Sequence, residues 1–104
     1  MQHVGHVWRV RPGQREEYLR RHATVWPELE AMMRAAGITT YVIYLWDEVV
    51  FSHMAVEDYE RLVREYGSDP VATRWEAAFA DLLEYPGADP QSGWPERLEE
   101  VWSL

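Results

Sequence analysis

The chain has 104 residues, a length that predicts one domain with one hydrophobic core. Hydrophobic residues make up 47% and charged residues 27%, and no apolar run approaches the roughly 20 residues of a transmembrane helix, so disorder and membrane spanning are both disfavoured. The net charge of −8 disfavours nucleic-acid partners, and the absence of cysteine excludes disulfides, zinc–thiolate sites and thiol nucleophiles and favours a cytoplasmic location.

The first predicted element is a strand, because residues 3–10 alternate in polarity and do not form the apolar segment of a signal peptide. The Arg-Pro-Gly sequence at 11–13 is a turn signal that ends this strand. One face of the strand carries Val4, His6, Trp8 and Val10.

A helical pattern begins at Gln14 and breaks at the Trp26-Pro27 pair, because proline restricts the residue before it and suits a first helical position. A second helix then runs to Ala36, with Gly37 expected just past its end. The apolar stripe of this region carries Tyr18, His22, Val25 and Leu29.

The second half of the chain predicts a hairpin, two helices and a last strand. Residues 38–45 and 49–56 are rich in β-branched and aromatic side chains on either side of an acidic turn. A helix over 57–66 is expected to stop at Gly67, and Asp69-Pro70 is expected to start another helix whose apolar side chains continue to Leu83. Residues 85–95 are loop by composition, and residues 98–104 are expected to form a short strand.

This order of elements predicts an α+β fold, the ferredoxin-like βαββαβ arrangement with an antiparallel sheet. Both helical layers then lie on one side of the sheet, and the other side is left bare. The aromatic composition, with six Trp and six Tyr, suits an interface because these rings combine apolar area with a polar edge. We therefore expect a homodimer that packs through the open face.

Tyr18 and His22 are the first candidate site residues, since side chains four apart on a helix reach the same patch. An unperturbed imidazole titrates near pH 6.5 and can exchange a proton at neutral pH, although a lone histidine on an apolar face also suits a structural role. His3 and His6 point to opposite faces of their strand, and no metalloprotease, EF-hand, P-loop or nucleophile-elbow motif occurs. No metal or cofactor is therefore expected.

Three further rings and one carboxylate leave two readings open. Tyr41, Tyr44 and Trp75 suit a core or an interface, but such rings also pack on the apolar face of a sugar. Arg74 and Glu76 are ordinary solvated helix charges, or they lie at the rim of a sugar pocket where a carboxylate binds neighbouring hydroxyls.

The sequence EEYLRRHATVWPELEAMMRAAGITTYVIYL, residues 16–45, resembles the L-rhamnose mutarotase family. The family signature is close to EEYxRRHxxxWPEL followed by a helix, a glycine and NYxIYL. The C-terminal LEEVWSL is similar to the family's LxEVFxL ending, so the resemblance spans nearly the whole chain.

The resemblance implies a cytoplasmic, cofactor-free, dimeric α+β barrel that interconverts the α and β anomers of L-rhamnose or a related deoxyhexose. The proton-transferring histidine of the family falls on His22, and its sugar-contacting tyrosines fall on Tyr18 and Tyr41. A consecutive Trp-Trp pair in the family corresponds here to Trp75 and Glu76. A stacking wall is thus replaced by a carboxylate, which leaves the preferred sugar open.

Two other functions are compatible with the same architecture. A dimeric α+β barrel monooxygenase or haem-degrading enzyme would need a pocket for a flat aromatic substrate, and no residue of the sequence requires one. A non-catalytic sugar-binding dimer would use His22 only as pocket lining.

Overall fold

An antiparallel sheet with four helices on one side forms the architecture of the computed structural model, which describes residues 1–104. The strand order is β2-β3-β1-β4, and a short β5 pairs with the same edge of β1 as β4. In chain order the elements are β1 (Gln2–Val10), α1 (Arg15–His22), α2 (Pro27–Ala35), β2 (Ile38–Trp46), β3 (Val49–Val56), α3 (Tyr59–Ser68), α4 (Pro70–Phe79), β4 (Leu83–Glu84) and β5 (Glu96–Arg97). The expected α+β fold with an antiparallel sheet is confirmed.

The face of the sheet beneath the helices is fixed by the register of its three long strands. His6 lies opposite Ser52, and Trp8 lies opposite Val50, so the alternating side chains of β1 and β3 form one surface. The predicted inner face of β1 is confirmed, because its four residues are all buried: Val4, His6, Trp8 and Val10. The helices cover this surface, and a cavity lies between the two layers.

The break between the first two helices occurs where the proline predicts it. Trp26 has an extended backbone (φ −64°, ψ 130°) and precedes Pro27 at the start of α2. Gly37 ends α2 with a φ of 100°, the left-handed conformation that glycine adopts most readily. Asp69 caps α4 by accepting a hydrogen bond from the backbone N–H of Ala72, as predicted.

Three predicted helix boundaries are wrong: the start of α3, the end of α3 and the end of α4. Helix α3 starts at Tyr59 and continues through Gly67 to Ser68, because Gly67 does not adopt the positive φ that ends a helix. Helix α4 ends at Phe79, so Leu83 lies in β4.

Residues 98–104 do not form the expected last strand. The short strand β5 ends at Arg97, and the last bond to β1 is donated by the N–H of Leu98 to the carbonyl of Gly5 at 2.8 Å, although β4 and β5 leave residues 2–5 of that edge unoccupied. Beyond this bond the chain has no regular structure, and Trp102 is 76% exposed.

The face of the sheet turned away from the helices, which we call the open face, is uncovered and aromatic. Tyr44 and Trp46 on β2 are 61% and 73% exposed. His3 and His53 stack on this face, with ring centroids 5.3 Å apart. None of the helices combines the length and the apolar character needed to cross a bilayer.

Candidate active site

His22 is the last residue of α1, and its ring orientation is set by the backbone of its own helix. Its Nδ1 lies 3.2 Å from the carbonyl oxygen of Tyr18, one turn earlier. A carbonyl only accepts hydrogen bonds, so Nδ1 carries the proton in this contact. In the neutral ring the unprotonated nitrogen is therefore Nε2, which is free to act as a base.

Three aromatic rings surround His22. The centroid of its ring lies 4.4 Å from that of Tyr18, 4.7 Å from that of Phe79 and 5.7 Å from that of Trp75. Burial among these rings lowers the pKa of His22 below its usual 6.5, and the hydrogen bond to the Tyr18 carbonyl acts in the opposite direction. The imidazole is consequently neutral at pH 7 and able to accept a proton.

The cavity next to His22, which we call the first chamber, has a volume of about 380 Å³. This volume is within the roughly 300–1,000 Å³ range of small-molecule sites. The chamber is lined by all five candidate site residues from the sequence: Tyr18, His22, Tyr41, Trp75 and Glu76. The structure therefore brings them together, whereas Tyr44 lies on the open face and Arg74 does not line the chamber.

Two buried donors in the wall of the first chamber make no well-formed hydrogen bond within the protein, although the indole N–H of Trp8 faces the Tyr18 oxygen closely enough to lower the pKa of that phenol. They are the hydroxyl of Tyr18, which is 3% exposed, and Nε1 of Trp8, which is 6% exposed. Buried polar atoms are rarely left unpaired, so the O–H of Tyr18 is a donor available to an acceptor oxygen in the chamber. Burial also raises the pKa of Tyr18, so its hydroxyl keeps its proton at neutral pH.

Glu76 is surrounded by phenols. The hydroxyl of Tyr66 donates to Oε1 of Glu76 at 2.5 Å. Burial raises the pKa of the carboxyl, and the hydroxyls of Tyr66 and Tyr85 partly offset this increase. More than a third of the Glu76 surface is accessible, but the residue lines the first chamber. Its carboxyl therefore lies in an enclosed cavity and not in bulk water, which is consistent with its raised pKa. The carboxylate is a hydrogen-bond acceptor in the lining of the first chamber.

Arg21, adjacent to His22, fixes α1 against the end of α4. Its guanidinium donates to the carbonyl of Ala78 at 2.5 Å and to the carboxylates of Glu17 and Asp81 at 2.8 and 3.0 Å. These contacts lie outside the cavity. They hold the helix that carries His22 at a fixed distance from the helix that carries Trp75.

Trp8, Tyr66 and Tyr85 line the first chamber and are not among the predicted site residues. The alternation of β1 places Trp8 on the inner face, and this was the one available signal for it. Tyr66 and Tyr85 reach the chamber from α3 and from the loop after β4. The helical pattern of 57–66 predicts that Tyr66 points inward but not that it reaches this chamber, and no local pattern indicates the placement of Tyr85.

No group of three or more His, Asp or Glu side chains lies close enough to hold a metal ion. The two imidazoles on the open face, His3 and His53, hydrogen-bond to each other with 3.1 Å between Nδ1 and Nε2. His22 and His53 lie on different sides of the sheet.

Comparison with solved structures supports the fold. The chain matches the crystal structure of an L-rhamnose mutarotase from Formosa agariphila with a TM-score of 0.79, at 21% identity, over 100% of this chain and 99% of that one. It also matches tetracenomycin F2 cyclase from Streptomyces glaucescens, a type-II polyketide cyclase, with a TM-score of 0.62 and 20% identity, over 100% and 97% of the two chains. At these identities the likeness concerns the fold alone.

Sequence comparison is more specific. A family model described as L-rhamnose mutarotase matches residues 3–104. An L-rhamnose mutarotase of Verminephrobacter eiseniae is 44% identical over 81 residues, which cover 71% of each protein. One from Shigella flexneri is 35% identical over 100 residues, or 94% of this chain and 93% of the relative. The chain belongs to the L-rhamnose mutarotase family.

Proposed function

We propose that this protein is a mutarotase, an isomerase that interconverts the α and β anomers of L-rhamnose or a closely related deoxyhexose, with His22 as the acid–base group. The carrying observation is the orientation of His22: its Nδ1 is held by the Tyr18 carbonyl and its Nε2 is free, on a ring that lines a chamber of ligand size. The family assignment gives the reaction class, and the geometry supports the roles of the residues.

Ring opening begins when Nε2 of His22 removes the proton from the anomeric hydroxyl. The C1–O5 bond then breaks, the oxygen on C1 becomes a carbonyl oxygen, and O5 takes the negative charge. The Tyr18 hydroxyl, protonated and without a partner, can donate a hydrogen bond to this oxygen as the charge develops. The imidazolium finally gives its proton to O5, which leaves an open-chain aldehyde and a neutral His22.

Inversion at the anomeric centre requires only a bond rotation followed by the reverse steps. Rotation about C1–C2 presents the other face of the aldehyde to O5. His22 removes the O5 proton, O5 attacks C1, and the former carbonyl oxygen receives the proton. All steps are proton transfers and carbon–oxygen bond changes, for which a positioned acid–base group contributes about 10²–10⁴-fold.

The remaining lining residues suit the binding of a deoxyhexose. Trp75 and Phe79 offer ring faces to the apolar side of the sugar and its methyl group. Trp8 supplies an N–H next to the Tyr18 oxygen, and Tyr41 supplies a hydroxyl in the same chamber. Glu76 supplies a carboxylate that accepts hydrogen bonds from sugar hydroxyls.

The test is anomer exchange measured by NMR saturation transfer on a panel of free sugars. We expect L-rhamnose or another deoxyhexose to show exchange well above the buffer rate, and a hexose with a charged C6 group to show less. Enzyme denatured by heat serves as the control for catalysis by buffer. An unchanged exchange rate for every sugar in the panel contradicts the proposal.

We further propose a cytoplasmic homodimer in which two open faces pack together. The cytoplasmic location rests on the cysteine-free composition, and the dimer rests on the exposed aromatic side chains of β2, Tyr44 and Trp46.

The test of the dimer is its mass in solution: light scattering after size exclusion should give about twice the chain mass of 12.3 kDa. Tyr44→Asp should shift this to the monomer, whereas Ala77→Asp on α4 should not. A monomeric wild-type protein contradicts the dimer.

A further inference from the structure

A second cavity, which we call the second chamber, adjoins the first on the side away from His22. It has a volume of about 340 Å³, so each chamber alone reaches the lower end of the size range of small-molecule sites. His22 lines only the first chamber, whereas Glu76 lines both. The other residues shared by the two chambers are Trp8, Met33, Ile38, Tyr41, Tyr66 and Tyr85.

The outer wall of the second chamber is an ordered loop at 85–95. The carboxylate of Asp89 accepts from the N–H of Gln91 at 2.8 Å, and the Asp89 N–H donates to the carbonyl of Trp94 at 2.9 Å. Gly93, between them, donates to the Asp89 carbonyl and has a φ of 75°. This bonding fixes Trp94 at the chamber, where its ring lies 5.4 Å from Tyr66.

The lining of the second chamber suits a neutral, hydroxyl-rich ring. Trp94 offers an indole for packing against a pyranose face, and Thr73 and Ser92 are small and polar. Neither Lys nor Arg lines this chamber, and Glu76 is its one acidic residue. An anionic substituent finds no cation there and meets the Glu76 carboxylate.

The ring of a bound sugar connects the two chambers. Catalysis requires the anomeric carbon to lie at His22, so the hydroxyls on C3 and C4, across the ring, point away from it. Glu76 and its phenol partner Tyr66 lie where the chambers join. A substituent on O3 or O4 can therefore leave the first chamber past Glu76 and enter the second.

We propose that the second chamber is a glycosyl subsite and that the enzyme accepts reducing disaccharides in which a neutral hexosyl unit is linked to O3 or O4 of the deoxyhexose. This inference rests on the proposed mutarotase activity and names a larger substrate class for the same site. Glu76 suits this role, because a carboxylate bonds to hydroxyls of either ring where the chambers join.

The experiment compares anomer exchange of L-rhamnose, of 3-O- and 4-O-hexosyl-L-rhamnose, and of the matching uronosyl disaccharide. We expect at least one neutral disaccharide to exchange with kcat/KM equal to or above that of L-rhamnose, and the uronosyl compound to fall at least tenfold below it. Saturation-transfer difference NMR on the same samples should show contact of both sugar rings with the protein.

A matched pair of variants on α4 tests whether exchange of the disaccharide depends on the second chamber. Thr73 lines the second chamber and not the first, and Ala77 lines neither. Thr73→Tyr should lower kcat/KM for the disaccharide at least tenfold more than for L-rhamnose. Ala77→Tyr, which adds the same ring one turn away on the exposed surface, should leave this ratio at the wild-type value.

The two proposals fail in different ways. If L-rhamnose exchanges but neither neutral disaccharide does, or if Thr73→Tyr leaves the ratio unchanged, the glycosyl subsite is overturned and the mutarotase activity stands. If no sugar exchanges, the mutarotase proposal fails, and the ring contacts then decide the subsite: contact with the reducing ring alone overturns it, and contact with both rings supports it.

Discussion

His22 and His6 lie on the same side of the sheet, and each lines one of the two chambers, yet their surroundings differ in both burial and bonding. His6 is 1% exposed, and its Nε2 is bonded to the hydroxyl of Tyr59 at 2.8 Å. Burial and the charge of Arg97 lower the pKa of His6 to about 4. His22 is half-buried, and its Nε2 has no protein partner.

The comparison separates burial from the availability of a ring nitrogen. Both rings are kept neutral at pH 7 by desolvation, but Nε2 of His6 is bonded to Tyr59, whereas Nε2 of His22 has no protein partner. We therefore expect His22 to control the reaction rate and His6 to control the stability of the fold. The following predictions test this division, from the largest expected effect to the smallest.

His22→Ala should produce the largest effect, a loss of about 10²–10⁴-fold in the kcat of anomer exchange, because it removes the acid–base group. The measurement is saturation-transfer NMR with L-rhamnose at saturating concentration. Thr24→Ala, an exposed neighbour that lines neither chamber, is the matched control and should retain wild-type exchange. Exchange by His22→Ala at the wild-type rate would remove His22 from the mechanism.

His6 should govern the acid stability of the fold. The pKa of His6 is lower in the folded state than in the unfolded chain, so the unfolded chain binds a proton more readily. The full free energy of unfolding is therefore present above pH 6.5, and it decreases by up to about 3 kcal/mol as the pH falls toward about 4. Urea denaturation at pH 7, 5.5 and 4 measures this loss. His6→Gln, which can still bond to Tyr59, should have a flatter dependence; a slope equal to that of wild type contradicts the assignment.

The pH dependence of catalysis should follow His22 and not His6. Because the pKa of His22 lies below 6.5, kcat/KM should be level around pH 7 and then fall about tenfold per pH unit once the pH drops below that pKa. Exchange rates from pH 8 to pH 5 measure this limb. The decrease in kcat/KM should occur at the same pH in His6→Gln. A decrease at a different pH in this variant would show that His6 affects the titration of His22.

Tyr18→Phe should produce the smallest effect, a loss of about tenfold in kcat with little change in KM. The substitution keeps the ring that packs on His22 and removes only the hydroxyl, and one neutral hydrogen bond contributes about 0.5–1.5 kcal/mol. Tyr85→Phe tests another hydroxyl at the same cavity and should mainly raise KM. A rise in KM alone for Tyr18→Phe would place its hydroxyl in substrate binding.

Much of the fold could be predicted from local patterns. The alternation in β1 identifies its buried face, and the Trp26-Pro27 pair places the break between α1 and α2. The prediction of a strand over 98–104 was wrong because the pairing with β1 occurs just before it, at Glu96 and Arg97, and no local pattern in the sequence marks where that pairing stops.

In the candidate site, too, the local features could be predicted from the sequence, and the features that depend on tertiary packing could not. The four-residue spacing of Tyr18 and His22 is local, so their proximity follows from the helix. The contribution of Trp8 and the bond between Tyr66 and Glu76 depend on how β1, α3 and α4 pack together. No periodicity in the sequence contains that information, and neither the second chamber nor the fixed position of Trp94 could be predicted.

The contacts of Arg21 have a consequence for how this enzyme can evolve. Since Arg21 joins α1 to the end of α4 from outside the cavity, the position of His22 has a support that is independent of the lining residues that do not touch its ring. A lining residue such as Glu76 can then be exchanged by a single mutation with little effect on the placement of His22. The scaffold thereby allows sugar preference to change in small steps.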